Sequence, residues 1–566
     1  MARHAGLMLP LFSATATTSW GIGELPDIVP LVQWMGAAGF SRLMLLPIGT
    51  MPEGETSPYS AVSAMAIDPI YIAPAALEDF QRAGGVDALA PAVRASLEAA
   101  RHARTVPYPI VRRLKHDALD LAFARFFTDE WGQLSLRASA LAAYIARERW
   151  WLDDYALYQA IAGLTAHPAW RAWPAALRDR DPVALDEARR RLSREILRHQ
   201  YAQWMAESQW QTSRASAHAA GVALVGDLPF MVAADSADVW VRPGEFRLDV
   251  SLGVPPDAFS ATGQDWGMPT YNWPVIEQSD YAWLRQRARR MASLFDGYRV
   301  DHLVGLYRTF GRPASGEPFF SPADEPSQVR QGERILQILV SSGAEIIAED
   351  LGVVPDFVRT SLARLNVPGC KVQRWERRWS VPGHPFVDPA EYPAVSAAMT
   401  GTHDTETLAA WWDAAPADER AAFASLPRLR AAGVAADEPW HDVLRDHVLH
   451  LMWHAGSREL LLPVQDLFGW RDRINIPATV GDHNWSWRLP WPVDRLHDVP
   501  LARERAAFAR RLAHESGRGP AGTIGPPAGM AGTPGTGGTT GTRRTRGSED
   551  TRGTDETIDA DETEGT

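Results

Sequence analysis

The sequence predicts an α/β protein built on a closed (β/α)8 barrel, with a large helical insertion and loop-rich subdomains at the carboxyl ends of its strands. Short apolar runs recur near residues 7, 45, 225, 299, 347, 371, 401 and 462, which makes eight. From residue 281 onward they alternate with helical periodicity, the pattern of a parallel sheet, and eight such units close a barrel. Several runs end in an acid, and in this fold the active site lies at the carboxyl ends of the strands.

Residues 5–12 form the first expected strand, leading into a glycine-bearing loop from Ser19 to Leu25. Residues 27–38 have helical spacing. Leu43-Met44-Leu45-Leu46-Pro47 is a continuous apolar run, as a strand buried on both faces requires. The loop after it contains Ser57-Pro58-Tyr59-Ser60. Residues 1–74 thus supply the first barrel strands and loops. Residues 75–220 are rich in Ala, Arg, Leu and Glu at helical spacing and are expected to be a helical insertion. Residues 221–515 complete the barrel, beginning with the strand Val222 to Asp227. Within them, residues 231–280 are expected as loops that build binding subsites, since long loops in compact domains are usually functional. Strands at 297–301, 345–349, 369–373, 399–404 and 459–464 alternate with helices at 281–295, 329–342, 355–364 and 405–455. Residues 516–566 are Gly/Thr/Pro-rich and then mixed charged, with too little apolar surface to offset ordering entropy, so disorder is expected.

Composition narrows the function. The chain has 566 residues, 45% of them hydrophobic and 22% charged, as in an ordinary globular protein. A net charge of −12 argues against nucleic acid as a partner. Cys370 is the single cysteine, so no internal disulfide can form, and a reducing, cytoplasmic setting is expected. The apolar patch at the N-terminus is too short for a signal segment, and no run of about 20 apolar residues spans a membrane. Lys115 and Lys371 are the only lysines. The 23 tryptophans suit either core packing or stacking on sugar rings.

Three segments carry the chemistry: Gly297-Tyr298-Arg299-Val300-Asp301-His302, Glu345 to Asp350, and Met399 to Asp404. In a strand, residues two apart face the same way, so Arg299 should hold the Asp301 carboxylate ionised. An Arg-x-Asp at a strand end is commonly a structural ion pair, but three acids at successive strand ends suit glycosidic bond cleavage. A retaining mechanism needs one ionised carboxylate and one protonated carboxyl. Asp301 fits the nucleophile. Glu349, on an apolar strand, fits the acid/base. Asp404 would be the third acid, favouring the charged transition state. His302 and His403 could donate to sugar hydroxyls. A metal centre is the rival, given Asp301-His302 and His403-Asp404, yet the first strand lacks the His-x-His such a barrel wants. Gly21-Ile22-Gly23 is too short for a phosphate-binding fingerprint.

These motifs resemble the 4-alpha-glucanotransferases called amylomaltase or disproportionating enzyme, glycoside hydrolase family 77, relatives of the alpha-amylase clan. The resemblance runs through Gly21 to Leu25, Ser57-Pro58-Tyr59, Gly226-Asp227-Leu228-Pro229-Phe230, Gly263-Gln264-Asp265-Trp266-Gly267, Arg299 to His302, Ala348-Glu349-Asp350, Gly401 to Asp404 and Arg473-Ile474-Asn475-Ile476-Pro477. It implies retaining transfer of an alpha-1,4-glucan segment to the 4-hydroxyl of another glucan, with maltooligosaccharides and alpha-glucans as partners. By matched position it implies Asp301 as nucleophile, Glu349 as acid/base and Asp404 as transition-state stabiliser. Arg299 and His403 would support the reacting sugar. Tyr59, Asp227, Trp266, Asn475 and Pro477 would line subsites. No metal or organic cofactor is expected. Three departures stand out. Thr405-Glu406-Thr407 replaces Asn-Asp-Thr. Ala258-Phe259 lacks the usual aromatic pair. The first strand reads Leu9-Pro10-Leu11-Phe12-Ser13.

Overall fold

The structure is a computed structural model that describes residues 2–165, 169–256 and 262–519. Three strands come first, β1 (His4–Met8), β2 (Arg42–Met44) and β3 (Ala223–Leu228). An antiparallel pair follows, β4 (Phe246–Val254) and β5 (Gln264–Tyr271). Then come β6 (Gly297–Val300), β7 (Thr309–Pro313), β8 (Phe319–Ser321), β9 (Glu345–Ala348), β10 (Gly369–Val372), β11 (Ser396–Met399) and β12 (Glu459–Pro463). The strands β1, β2, β3, β6, β9, β10, β11 and β12 close into a barrel. Each pairs parallel with the next in chain order, and β12 returns to β1.

The apolar runs are continuous because both faces of each strand are covered. Pleating sends successive side chains to opposite faces. Met8, Met44, Val225, Ile347, Val372 and Leu461 pack inside the barrel. Their neighbours Leu7, Leu43 and Leu224 face outward into the main core beneath the helices. Gly226 has a steric reason: a Cβ there would lie 2.6 Å from the Phe295 ring.

The eight expected strands are the eight barrel strands, with bounds shifted by a residue or more and the first and seventh shifted furthest. The first ends at Met8 rather than residue 12, because Pro10 has no N–H for the ladder and Leu11–Ser13 turns as a short 3-10 helix. The seventh is Ser396–Met399 rather than 399–404, so Asp404 stands five residues past its strand.

Residues 231–280 differ more. Expected as loops, they carry the helix Ala237–Val241 and the strands β4 and β5. With β7 and β8 these strands form a four-stranded sheet in the order β5-β4-β7-β8. Phe246, Leu248, Val250, Leu252 and Val254 alternate with shorter or polar residues, which is the period of a strand. Ala258 and Phe259, where the sequence lacks the usual aromatic pair, lie outside the described residues.

The described residues of 75–220 are helices and turns, the longest helices being Tyr108–Phe126, Leu136–Leu164 and Ser193–Ala219. Lys115 of the first is buried and pairs with buried Glu24 in the loop after β1. Its ammonium also donates to the Ile72 carbonyl at 2.6 Å. Asp27 accepts from the Ser19 hydroxyl at 2.6 Å and the Glu24 N–H at 2.7 Å. Burial, and then the Glu24 charge, push Asp27 up to about 8. The loop folds tightly here because a Cβ at Gly23 would sit 1.8 Å from the Leu11 carbonyl oxygen.

Disorder is expected from residue 516, and there the structure differs again. The helix Pro500–Glu515 runs into Arg518, which is fully buried. Its five N–H donors reach the carbonyls of His4, Trp453, Ala455, Ser457 and Arg458 at 2.7–3.1 Å. A guanidinium so satisfied can be buried, and it orders the residues around it. Residues 520–566 of the expected tail lie outside the described residues. Among the described residues no helix is long and apolar enough to cross a membrane.

Candidate active site

Parallel register brings the site together. β3 and β6 pair with Asp227 directly beside Arg299. β6 and β9 pair with Val300 beside Ala348, so Asp301 and Glu349 follow side by side at the carboxyl ends of adjacent strands. Arg299 lies inside this rim, nearly fully buried, and binds three partners. Its Nε donates to Asp227 Oδ1 at 3.1 Å, and its Nη2 to Asp227 Oδ2 at 2.9 Å. The same Nη2 donates to Asp301 Oδ1 at 2.8 Å and to the Tyr59 hydroxyl at 3.2 Å.

The network continues through Tyr59. Its hydroxyl donates to Asp227 Oδ2 at 2.6 Å and lies 3.0 Å from His403 Nε2. That Nε2 is 3.2 Å from Asp404 Oδ2. Asn475 Nδ2 donates to Asp404 Oδ1 at 2.6 Å. Six expected site residues besides Asn475 are thus linked without a break, Asp301, Arg299, Asp227, Tyr59, His403 and Asp404, and Glu349 stands beside Asp301 in register.

Backbone groups hold Glu349. The N–H of His302 donates to Oε2 at 2.8 Å and that of Leu351 to Oε1 at 3.0 Å. His302 adopts the left-handed conformation at φ 44°, which a histidine seldom occupies. That turn follows Asp301 immediately and aims the His302 N–H across to β9. Its ring packs edge-on to Trp266, with centroids 4.9 Å apart, and to Phe230, 5.4 Å apart. Burial pulls this imidazole down to about 4, so it is neutral at pH 7. Pro477 is exposed, two residues beyond Asn475 and outside the hydrogen-bonded network.

Several contributors were not singled out from the sequence. Arg473 donates to the Asp404 carbonyl at 2.8 Å. Trp485 packs on Tyr59 and His403, each with centroids 5.7 Å apart. Glu406, in the departing Thr-Glu-Thr run, accepts from buried Arg374 at 2.8 Å. Only the position of Arg473, two residues before Asn475, hints at its part.

The carboxyls are held in unlike states. Burial, and then the negative charge of Asp301, raise Glu349 to about 7 against the pull of Arg299 and the two N–H groups. Burial would also raise Asp404. The His403 ring and the hydrogen bonds from His403 and Asn475 outweigh it and hold Asp404 at about 2. Burial opposes a charge on His403, but Asp404 raises it overall. Burial raises Asp227 despite Arg299. One carboxyl able to carry a proton near neutrality therefore adjoins acids bound to cationic groups. Among the described residues no group of three His, Cys, Asp or Glu side chains could hold a metal ion.

A closed parallel barrel with such a rim defines an acid-carboxylate (β/α)8 enzyme. Residues 9–494 match the 4-alpha-glucanotransferase family, glycoside hydrolase family 77, and the chain belongs to that family. A 4-alpha-glucanotransferase of Thermus thermophilus is 34% identical over 87% of this chain and 96% of that protein. One from Chlamydia caviae is 31% identical over 90% of this chain and 95% of its own. The amylomaltase of Streptococcus agalactiae, solved in complex with acarbose, superposes with a TM-score of 0.76 at 25% identity, covering 91% of this chain and all of that one. The chain is therefore a transferase of alpha-glucan segments.

Proposed function

We propose that the transfer proceeds by double displacement with retention, through a glycosyl ester on Asp301. A carboxylate oxygen of Asp301 attacks the anomeric carbon of the donor. The bond from that carbon to the leaving 4-oxygen breaks, and Glu349 passes its proton to this oxygen. In the second half Glu349, now ionised, takes the proton of an incoming 4-hydroxyl, whose oxygen displaces Asp301. Asp404, with His403 and Asn475 behind it, faces the positive charge that develops on the sugar. Arg299 keeps Asp301 and Asp227 in place. Tyr59, Asp227, Trp266, His302, Asn475 and Pro477 line the donor and acceptor sugars. Donors are maltooligosaccharides and starch- or glycogen-derived glucans.

The observation that carries this reading is the contrast within one rim. Glu349 binds its proton up to about pH 7, while its neighbour Asp301 is bonded to a guanidinium 2.8 Å away. An acid and a nucleophile need that division. Maltotriose tests it: the protein should yield free glucose together with a ladder of longer oligosaccharides. Glucose and maltose alone would make it a hydrolase of the same clan.

A further inference from the structure

Of the 23 tryptophans, 22 are buried or half-buried, and Trp379 alone is exposed, at 64%. A single exposed apolar residue is ordinary on a protein surface, but an indole offers a flat apolar face on which a sugar ring can lie. Trp379 stands on a loop that leaves the carboxyl end of β10, the rim that bears the carboxylates.

The loop is anchored as though to present that ring. Arg377 and Phe386 form an antiparallel bridge at its base. The Arg377 guanidinium covers the buried Phe386 ring at 3.8 Å and pairs with Glu419 at 2.6 Å. The Arg378 N–H donates to the Pro385 carbonyl at 2.9 Å, and the His384 N–H to the Val381 carbonyl at 3.0 Å. His384 leans on Trp379 with ring centroids 5.3 Å apart and planes inclined at 45°. Most of the indole therefore faces solvent from a fixed mount.

The same rim carries further exposed apolar side chains. Val353, Val381, Ile476 and Val480 are also exposed, and all stand on loops leaving the carboxyl ends of β9, β10 and β12. A long alpha-glucan reaching this rim must extend past the reacting sugars. Its units present C–H faces to a flat ring and hydroxyls to donors such as the His384 imidazole.

We propose that Trp379 is an accessory glucan-stacking site that engages chain remote from the cleavage point and favours long glucans over short ones. The proposal rests on glucan transfer being the activity, not on which carboxylate attacks.

The test compares transfer by the full chain on maltotriose and on amylose of several tens of units. In Trp379→Ala the ratio of kcat/KM for amylose to that for maltotriose should fall about five- to tenfold, mainly through KM on amylose. Trp379→Tyr, which keeps a flat ring, should restore the ratio to within about twofold. A ratio that does not move in Trp379→Ala overturns the proposal. So does an equal loss on both glucans, or a changed oligomeric state with the ratio intact, which would assign the ring to a protein contact. Wild-type protein that transfers normally while Trp379→Ala keeps the ratio would sink only this site. Wild-type protein without transfer would sink the functional reading as well.

Discussion

Two of the buried charge clusters among the described residues are built on opposite plans. In one, Glu24, Asp27 and Lys115 tie the loop after β1 to the helix Tyr108–Phe126, and each of these side chains is at most 5% exposed. The Lys115 ammonium is consumed by Glu24 and a carbonyl, and Asp27 by a hydroxyl and an N–H. In the other, at the barrel rim, Asp301 and Asp404 keep 24% and 43% of their side chains accessible. Both clusters shift protonation through burial. The first directs every charge inward and leaves nothing for a ligand. The second fixes its acids from behind, through Arg299, Tyr59, His403 and Asn475, and leaves their front free. A raised carboxyl alone would not separate the two, since Asp27 is pushed up to about 8 and Glu349 to about 7.

Substitutions should split the clusters by readout. Asp301→Asn is expected to lower kcat on maltotriose by about 10⁴-fold or more while the unfolding midpoint stays near wild type. A retained rate would remove Asp301 from the nucleophile role. Lys115→Met should act in reverse. Leaving buried Glu24 without its cation costs about 3–5 kcal/mol in denaturant unfolding, with kcat of the folded fraction little changed. A stability loss under about 1 kcal/mol would mean that the inner cluster is not under strain from unpaired charge.

The pH dependence sharpens the contrast. In the proposed mechanism Glu349 is protonated when the leaving group departs, so kcat/KM should fall as the pH rises through about 7. Its folded pKa lies above the ordinary 4.5, so its contribution to stability is complete below that value and is lost as the pH rises through about 7. Asp404 has the other sign. Held at about 2 against an ordinary 3.8, it adds stability above 3.8 that is lost as the pH falls through about 2. An alkaline limb near pH 9 instead would break the assignment of Glu349. The smallest effect is expected for Asn475→Ala, which removes one of the supports behind Asp404. We expect kcat to drop about fivefold with KM changed less, as fits one lost hydrogen bond. A change in KM alone would make Asn475 a substrate contact only.

The barrel is legible in the sequence because burial on both faces writes continuous apolar runs such as Leu43 to Leu46. Asp301 and Glu349 are legible because each stands just past such a run, whereas Asp404 lies five residues beyond its strand. The antiparallel sheet is harder to see. The alternation in Phe246 to Val254 is present, but Gly253, Pro255 and Pro256 close by resemble loop punctuation. Partners distant in the chain are not legible from spacing. Arg299 reads as the companion of Asp301, two residues away, yet it also grips Asp227, 72 residues back. Arg518 among glycines and serines looks like the start of a tail, because nothing local reveals five carbonyls converging on it.

Barrel closure also sets a timetable for synthesis. β1 can pair with β2 as soon as residue 44 is made, but its other edge waits for β12, about 420 residues later. At about 5–20 residues per second that edge stays open for roughly 20–90 s. An unpaired strand edge invites wrong partners. Arg518 then reaches back to the carbonyl of His4, so a side chain made after β12 locks the first strand. The nascent chain therefore depends most on protection where the finished protein is most tightly closed.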